Sequence, residues 1–592
     1  MEIEKYYFRL RQRYSHQGEN QAFPVKMDEL TDALGCTRRN AQLLLMRMSQ
    51  MELLVWEPGR GRGHLSRLTF LGSHQDLVLE LARRKVQEGR LNEALGLVDS
   101  LQDGHLAELF AAWLSSQFGV VPGGESIDIL RFPFYREVPD LDPAGVIRRT
   151  EAHWIEQIFD PLCTYSAEEG RLVPGLAHAW ESEDNGQIWR IHLRKGILFH
   201  HGRRMTAEDV KFTLERVRRF QPEDWMLSAI QRIQIQGKYE LEVQFDRPMG
   251  LFMNVMASER YCIVPADLDE ASFARNPIGT GPFKLTHNDS SMLVVQAHEH
   301  YFGTRPHLDR IEMWVWPNYQ GIHTLQPQDP KAQLLYFEAQ TLSGAKPHLQ
   351  QLEQGSTYLT FNMKKPGVLQ DAKFRQAVHS AIDRGKMIRE LGEIRTRPSA
   401  GFFPYPGDSG CIQPALLEES RRLLSESSYQ GETLWLYTYA MPSNEENAAW
   451  IQACCRSLGI QLAWRAFPIR ELSEPERIKE ADLILGGEVL GEQPDLTLIN
   501  LYTSATSFVR GHLGSDVAVE VDACISRCIA ESNAQLRIKE LLKAEKLIRS
   551  SYNVLFLYHS VQTANYDGAF GGMSLNAWGK VRYKDVWIRR RK

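Results

Sequence analysis

The chain has 592 residues, 43% apolar and 24% charged, which excludes a single hydrophobic core and fits several folding units of ordinary globular composition. The formal net charge of -5 hides an asymmetry: residues 1–72 carry 11 Lys and Arg against 8 Asp and Glu, while the rest carries 58 against 66. A mildly basic head on an acidic body suits a polyanion-binding end joined to something else.

The start, Met1 to Tyr14, is charged and lacks an apolar run of leader length, so an export signal is not expected and a cytoplasmic location is. No window of about 18 apolar residues appears, so no membrane contact is expected. Eight cysteines run from Cys36 to Cys528 without a CxxC pair. They read as free core thiols, Cys524 and Cys528 on a helix included.

Lys26 to Leu34 (KMDELTDAL) has helical spacing, with Leu30 and Leu34 four apart. Gly35-Cys36-Thr37 makes a tight turn, and Thr37 is placed to cap a second helix from Arg38 to about Met51. Two short helices across such a turn make a helix-turn-helix. On the second helix Ala41, Leu44, Leu45 and Met48 fall on one stripe for the core. Arg38, Arg39 and Gln42 fall in an exposed arc near its N-terminal end, where a recognition helix meets base edges.

Leu53 to Trp56 and Leu65 to Leu71 read as strands. The loop between them, Glu57-Pro-Gly-Arg-Gly-Arg-Gly-His64, alternates glycine with Arg60, Arg62 and His64, and Arg67 lies on the returning strand. Glycines let such a loop approach a surface closely. An arginine-tipped hairpin after a recognition helix is the wing of a winged helix, suited to phosphates or the minor groove. The runs LTDALGCTRRNAQLLLMRM and LLVWEPGRGRGHLSRLTFL also resemble the amino-terminal domain of SgrR-type regulators. That resemblance implies binding of double-stranded DNA through this head.

Residues 73–118 hold two or three helices without evident chemistry, and Gly119 to Glu125 (GVVPGGE) reads as a boundary. Beyond it Ile127 to Phe132 is an apolar strand with Tyr135 and Arg136 past its end, where open α/β sheets collect ligands. Tyr135 suits stacking and Arg136 an anion. Trp435, Tyr437 and Tyr439 share one face of a strand, as a cleft wall or a core.

A series of landmarks then resembles the oligopeptide-type solute-binding proteins, family 5. In order they are Ile158 to Leu162 (IFDPL), Pro174 to Ala177 with Trp180, Trp189 to Gly196, Phe199 to Gly202 and Thr206 to Phe212. Asn276 to Phe283 (NPIGTGPF), Tyr301 to Pro306, Thr360 to Asn362 and Phe374 to Arg384 follow. The resemblance implies two α/β lobes closing over a small-molecule ligand, with Asn362 and Glu488 as candidate contacts. Leu485 to Asp495 (LGGEVLGEQPD) departs from the acidic motif of peptide-binding members. SgrR-type regulators carry a similar stretch, which points instead to a small metabolite, a sugar phosphate being the suggested class.

The expected fold is therefore multidomain α/β: a winged helix-turn-helix over residues 1–72, a helical connector over 73–125, and a two-lobed module of periplasmic-binding-protein type over 126–592. Lobe 1 is expected over about 126–320 plus 546–592 and lobe 2 over about 321–545. His200-His201 and His298-Glu-His300 lack a third ligand at metal spacing, so no metal or cofactor is expected. No nucleotide loop or GxSxG elbow occurs, so no enzyme is expected. These features predict a regulator in which metabolite binding alters DNA binding or contact with RNA polymerase. The alternative is a cytoplasmic peptide- or solute-binding protein whose head mediates other interactions.

Overall fold

The computed structural model describes residues 2–59, 65–71, 73–123, 127–146, 148–166, 168–222, 224–317, 349–392, 394–404, 416–564 and 570–588. Two compact units meet in sequence between Gln117 and Phe118.

The amino-terminal unit holds α1 (Glu2–Arg13), β1 (Phe23–Val25), α2 (Met27–Leu34), α3 (Arg38–Gln50), β2 (Leu54–Glu57) and β3 (Ser66–Phe70). The antiparallel sheet has the order β1-β3-β2. Tyr7 and Leu10 from α1, Leu30 and Leu34 from α2, and Ala41, Leu44, Leu45 and Met48 from α3 close one core with Leu68 and Phe70. The expected α2, α3, β2 and β3 are present within two residues of their ends. Helix α1 and strand β1 are additional, and each contributes core side chains. The connector forms α4 (His74–Gln87), α5 (Leu91–Asp99) and α6 (Gly104–Ser115). Its helices belong to this same unit, so the expected break at residue 72 is not a break in packing.

The second unit opens on β4 (Gly119–Gly123), an edge strand paired with β5 (Ile127–Phe134). The stretch expected as a boundary forms this strand as far as Gly123, its last two residues lying outside the described ones, and Pro122 is tolerated because an edge needs no further donor. Helix α7 (Arg149–Ile158) precedes the hairpin β6 (Cys163–Ser166) and β7 (Arg171–Pro174). Next come β8 (Ala177–Glu183), β9 (Ile188–Leu193), α8 (Ala207–Phe220), β10 (Ile230–Gly237) and β11 (Glu240–Phe245). They build a four-stranded sheet β10-β11-β9-β8. Helix α8 starts as its sequence predicts: the Thr206 backbone N–H donates to Asp209 Oδ2 at 2.8 Å in a capping box. Then β12 (Phe283–Asn288), β13 (Met292–Ala297) and β14 (Arg310–Val315) join β5 and β4 in a five-stranded sheet, order β12-β13-β14-β5-β4.

The other lobe is a mixed seven-stranded sheet. Its strands are β15 (Leu349–Leu352), β16 (Gly355–Phe361), β17 (Arg395–Pro398), β18 (Leu434–Tyr439), β19 (Leu462–Phe467), β20 (Leu483–Val489) and β21 (Val554–Ala564). The order is β15-β21-β16-β20-β18-β19, with β17 also on β21. Because β21 pairs with β16 from Val554 onward, the chain does not return to the first lobe at residue 546 as expected. The return follows β21, and β22 (Phe570–Gly571) with β23 (Trp587–Ile588) forms a short ribbon there.

The family landmarks interlock. Asp160 accepts hydrogen bonds from the hydroxyls of Thr280 and Tyr301, both at 2.9 Å. A Cβ on Gly279 or Gly281 would stand 2.1 or 2.4 Å from the Ile158 backbone, so both positions demand glycine. Three segments far apart in sequence thereby lock the same corner.

Candidate functional sites: a recognition helix and an interlobe cleft

Helix α2 ends on Gly35 at φ +63°, whose N–H reaches the Asp32 carbonyl while the Cys36 N–H reaches that of Thr31. This left-handed stop turns the chain into α3 within three residues. Thr37 takes the N-cap position, but its side chain makes no capping hydrogen bond. Its carbonyl instead accepts from the Ala41 N–H at 2.8 Å. Thr37 is exposed ahead of the helix.

Arg38, Arg39, Gln42 and Arg47 are exposed on α3, which carries no Asp or Glu. Arg67 is exposed on β3, opposite Glu57. Among the described residues no carboxylate is ion-paired with any of these arginines. Arg60, Arg62 and His64, the expected wing tip, lie outside the described residues.

In the second unit a charged cleft forms where α7 faces the seven-stranded sheet. Arg149, His153 and Glu156 recur at i, i+4 and i+7 along one stripe of α7. The Arg149 guanidinium donates to Glu353 Oε1 at 2.7 Å, and Gln562 donates to the same oxygen at 3.1 Å. Glu353 sits between β15 and β16, and Gly355 at φ +143° lets β16 start hard against β20, where a Cβ would meet the Glu488 carbonyl at 2.0 Å. Ser356 then registers with Glu488. Enclosure in the cleft pushes the Glu488 carboxyl up to about 7, with Arg149 opposing and Glu353 adding to the rise.

Further along α7, Glu156 accepts from the Asn576 amide at 3.4 Å. Although Glu156 is exposed along α7, loss of water around its carboxyl pushes it up, with Glu259 and Glu492 adding and Arg582 and Lys584 opposing. Arg582 is itself paired with Glu492. His153 is buried against the Tyr583 ring at 5.0 Å, and neither of its ring nitrogens has a hydrogen-bond partner. Burial holds its pKa down to about 3, so it is neutral. The lobes also meet where Trp225 donates to Asn500 at 3.1 Å and Asn254 donates to Gln493 at 2.8 Å.

Of the four expected ligand contacts, Glu488 lies in this cleft and the others are otherwise engaged. Arg136 donates to both Glu151 carboxylate oxygens, at 2.9 and 3.2 Å, so its fork is spent on a structural ion pair. The Tyr135 hydroxyl accepts from Arg136 Nε at 3.3 Å. Asn362 is buried and donates to the carbonyls of Lys479 and Ala481, which makes it a clamp inside the second lobe. Of the aromatic trio, Tyr437 is core and Tyr439 stands by Gly487 and Arg149 at the cleft. Trp435 and Tyr439 both pack against the same core cluster as Tyr437.

Arg149, Glu156 and Glu353 were not singled out from the sequence. The available signal was a charged stripe at helical spacing in RTEAHWIEQI, just before the first family landmark. The candidate histidines His200 and His298 do meet, their rings 4.9 Å apart, but both turn a nitrogen to the Gly281 carbonyl. Among the described residues no group of three or more His, Cys, Asp or Glu is placed to hold a metal ion, and the described cysteines form no disulfide. No helix among them is long and apolar enough to cross a membrane.

Comparison with known proteins matches residues 171–508 to the bacterial extracellular solute-binding proteins, family 5, and residues 2–120 to the sugar transport-related sRNA regulator N-terminal domain. The protein YhjP of Bacillus subtilis is 32% identical over 578 residues, covering 95% of this chain and 96% of its own. The HTH-type transcriptional regulator SgrR of Salmonella typhi is 31% identical over 341 residues, 57% of this chain and 58% of its own. Among solved structures, the periplasmic binding protein DppA of Helicobacter pylori, in complex with the peptide STSA, superposes with a TM-score of 0.66 at 18% identity, over 78% of this chain and 98% of its own. NikA of Brucella suis, in complex with Fe(III)-EDTA, gives 0.64 at 18% identity, over 78% and 99%. These establish the two-lobed binding-protein fold of the second unit. The chain belongs to the family-5 solute-binding proteins and carries, ahead of that module, the amino-terminal domain of the SgrR regulators.

Proposed function

We infer that the chain is a DNA-binding transcription regulator that senses a small molecule in its solute-binding module. The observation that carries this reading is α3: an exposed helix with three arginines, a glutamine at its N-terminal end and no acidic residue, on the domain shared with SgrR. Arg38 and Arg39 suit guanine edges, Gln42 adenine, and Arg67 a phosphate. A regulator of this kind works in the cytoplasm beside DNA, and ligand-dependent contact with RNA polymerase is a second route for its output. It catalyses no reaction.

The ligand seat is the interlobe cleft, with Arg149, Glu353, Glu488 and Glu156 as its polar contacts. A sugar phosphate would have to draw Arg149 away from Glu353, because Arg136 is committed to Glu151. Selection of sites from a random duplex pool with the full chain tests the DNA half. One sequence should enrich, and Arg39→Ala should weaken it about tenfold. A thermal-shift screen of sugar phosphates, peptides and other metabolites tests the sensor half, since a ligand of the folded state raises the midpoint. No enrichment from the pool would leave only a binding module.

A further inference from the structure

The outer face of α3 is not polar throughout. Arg39, Leu43, Met46 and Gln50 recur at i, i+4, i+7 and i+11, which places them on the ridge opposite the buried Ala41, Leu44, Leu45 and Met48. Leu43 is 50% and Met46 48% exposed at the middle of that ridge. An ordinary solvent-facing helix carries polar residues there.

Two kinds of partner bury such a ridge: protein or the major groove. A second copy of this chain meeting it about a twofold axis would set its like-charged Arg38, Arg39 and Arg47 against their counterparts, with no acid on the helix to offset them. Charge complementarity therefore favours a polyanion. Within the major groove one base-edge group is apolar, the C5 methyl of thymine. An A·T pair shows that methyl beside the adenine edge that suits Gln42.

We propose that Leu43 and Met46 are specificity-determining residues that pack on thymine methyl groups in the operator, immediately beyond the bases met by Arg39 and Gln42. This rests on the DNA-binding reading above and adds what the helix reads.

The test uses the full chain and a site enriched from a random duplex pool, resynthesised with deoxyuridine in place of each thymine in turn. Deoxyuridine keeps every hydrogen-bonding group and removes only the methyl. Wild-type protein is expected to lose about fourfold in affinity at each contacted thymine. Leu43→Ala or Met46→Ala should abolish that penalty at its own thymine, while Arg39→Ala weakens binding and keeps it. Both apolar side chains are half exposed, so the variants retain the core, and the wild-type measurement needs no variant. Equal affinity for thymine and uracil sites overturns the proposal and leaves DNA binding standing. A fall in sedimentation mass on Leu43→Ser with Met46→Ser, at an unchanged uracil penalty, overturns it in favour of a second copy. A pool that yields no enriched sequence removes the DNA-binding reading and this inference together.

Discussion

Arg149 and Glu353, 204 positions apart in sequence, join α7 of the first lobe to the β15–β16 turn of the second at 2.7 Å. Their pairing, with Arg470 to Asp140 at 3.2 Å, makes charge part of what holds the lobes in register. Arg149 is half exposed, so the pair is worth little more than a surface one. A double-mutant cycle with Arg149→Ala and Glu353→Gln should return a coupling of about 0.5 kcal/mol in urea unfolding. Zero coupling would mean that the two side chains do not act together.

Arg136→Ala should act on stability and not on ligand affinity. Its partner Glu151 is buried, and removing the cation leaves that carboxylate only the longer pairing with Arg148 at 4.0 Å, at a cost of about 3 kcal/mol. A ligand found by thermal shift should bind the variant as it binds wild type, measured by calorimetry below the unfolding range.

Asp495 closes the LGGEVLGEQPD stretch that departs from the peptide-binding motif. In the structure it is buried and accepts from Arg537 Nε at 2.7 Å, while Arg537 also donates to the carbonyls of Glu531 and Ser532. Arg537→Ala should therefore destabilise the module by about 3–5 kcal/mol, read from the denaturation midpoint.

The Glu156 carboxyl gives a pH signature. Its pKa is raised from 4.5 to about 8 in the fold. At low pH both folded and unfolded states hold the proton, and the group is neutral to stability. As pH rises through that window the unfolded chain releases the proton and the folded one keeps it, so stability falls. Glu156→Gln removes this loss. The variant should match wild type near pH 4.5 and melt on the order of 1–2 °C higher at pH 8. A difference independent of pH would show that Glu156 ionises normally.

Arg39 and Arg67 should separate by salt dependence. As a phosphate contact, Arg67→Ala should lower the slope of log affinity against log salt by about one, on every sequence alike. Arg39→Ala should instead relax the preference at one base pair.

The head was legible because its signals are local. Gly35 marks the stop of α2, and the stripe Ala41, Leu44, Leu45 and Met48 marks the buried face of α3. Strand β1 escaped because three residues with Pro24 at the centre carry no usable alternation. The family landmarks fixed the fold of the module, yet they gave little about its cleft. Asn362 sits in one such landmark and proves to be a buried clamp, because a residue can recur for packing as readily as for contact. Arg149 meets Glu353 through tertiary folding alone, and no spacing along the chain announces it. Arg136 looked available because its partner Glu151 lies 15 residues on, across a turn whose geometry the sequence does not display.

Strand β21 has a consequence for biosynthesis. It spans Val554–Ala564, far along the chain from β15 and β16, yet it sits between them inside the large sheet. On the ribosome the binding module must therefore wait until the chain has passed Val554 before its central hydrogen-bond ladder can close, whereas the core of the head draws only on residues up to Leu77. A premature stop codon upstream of Val554 should leave a competent recognition helix tethered to an unfinished sensor, deaf to any metabolite.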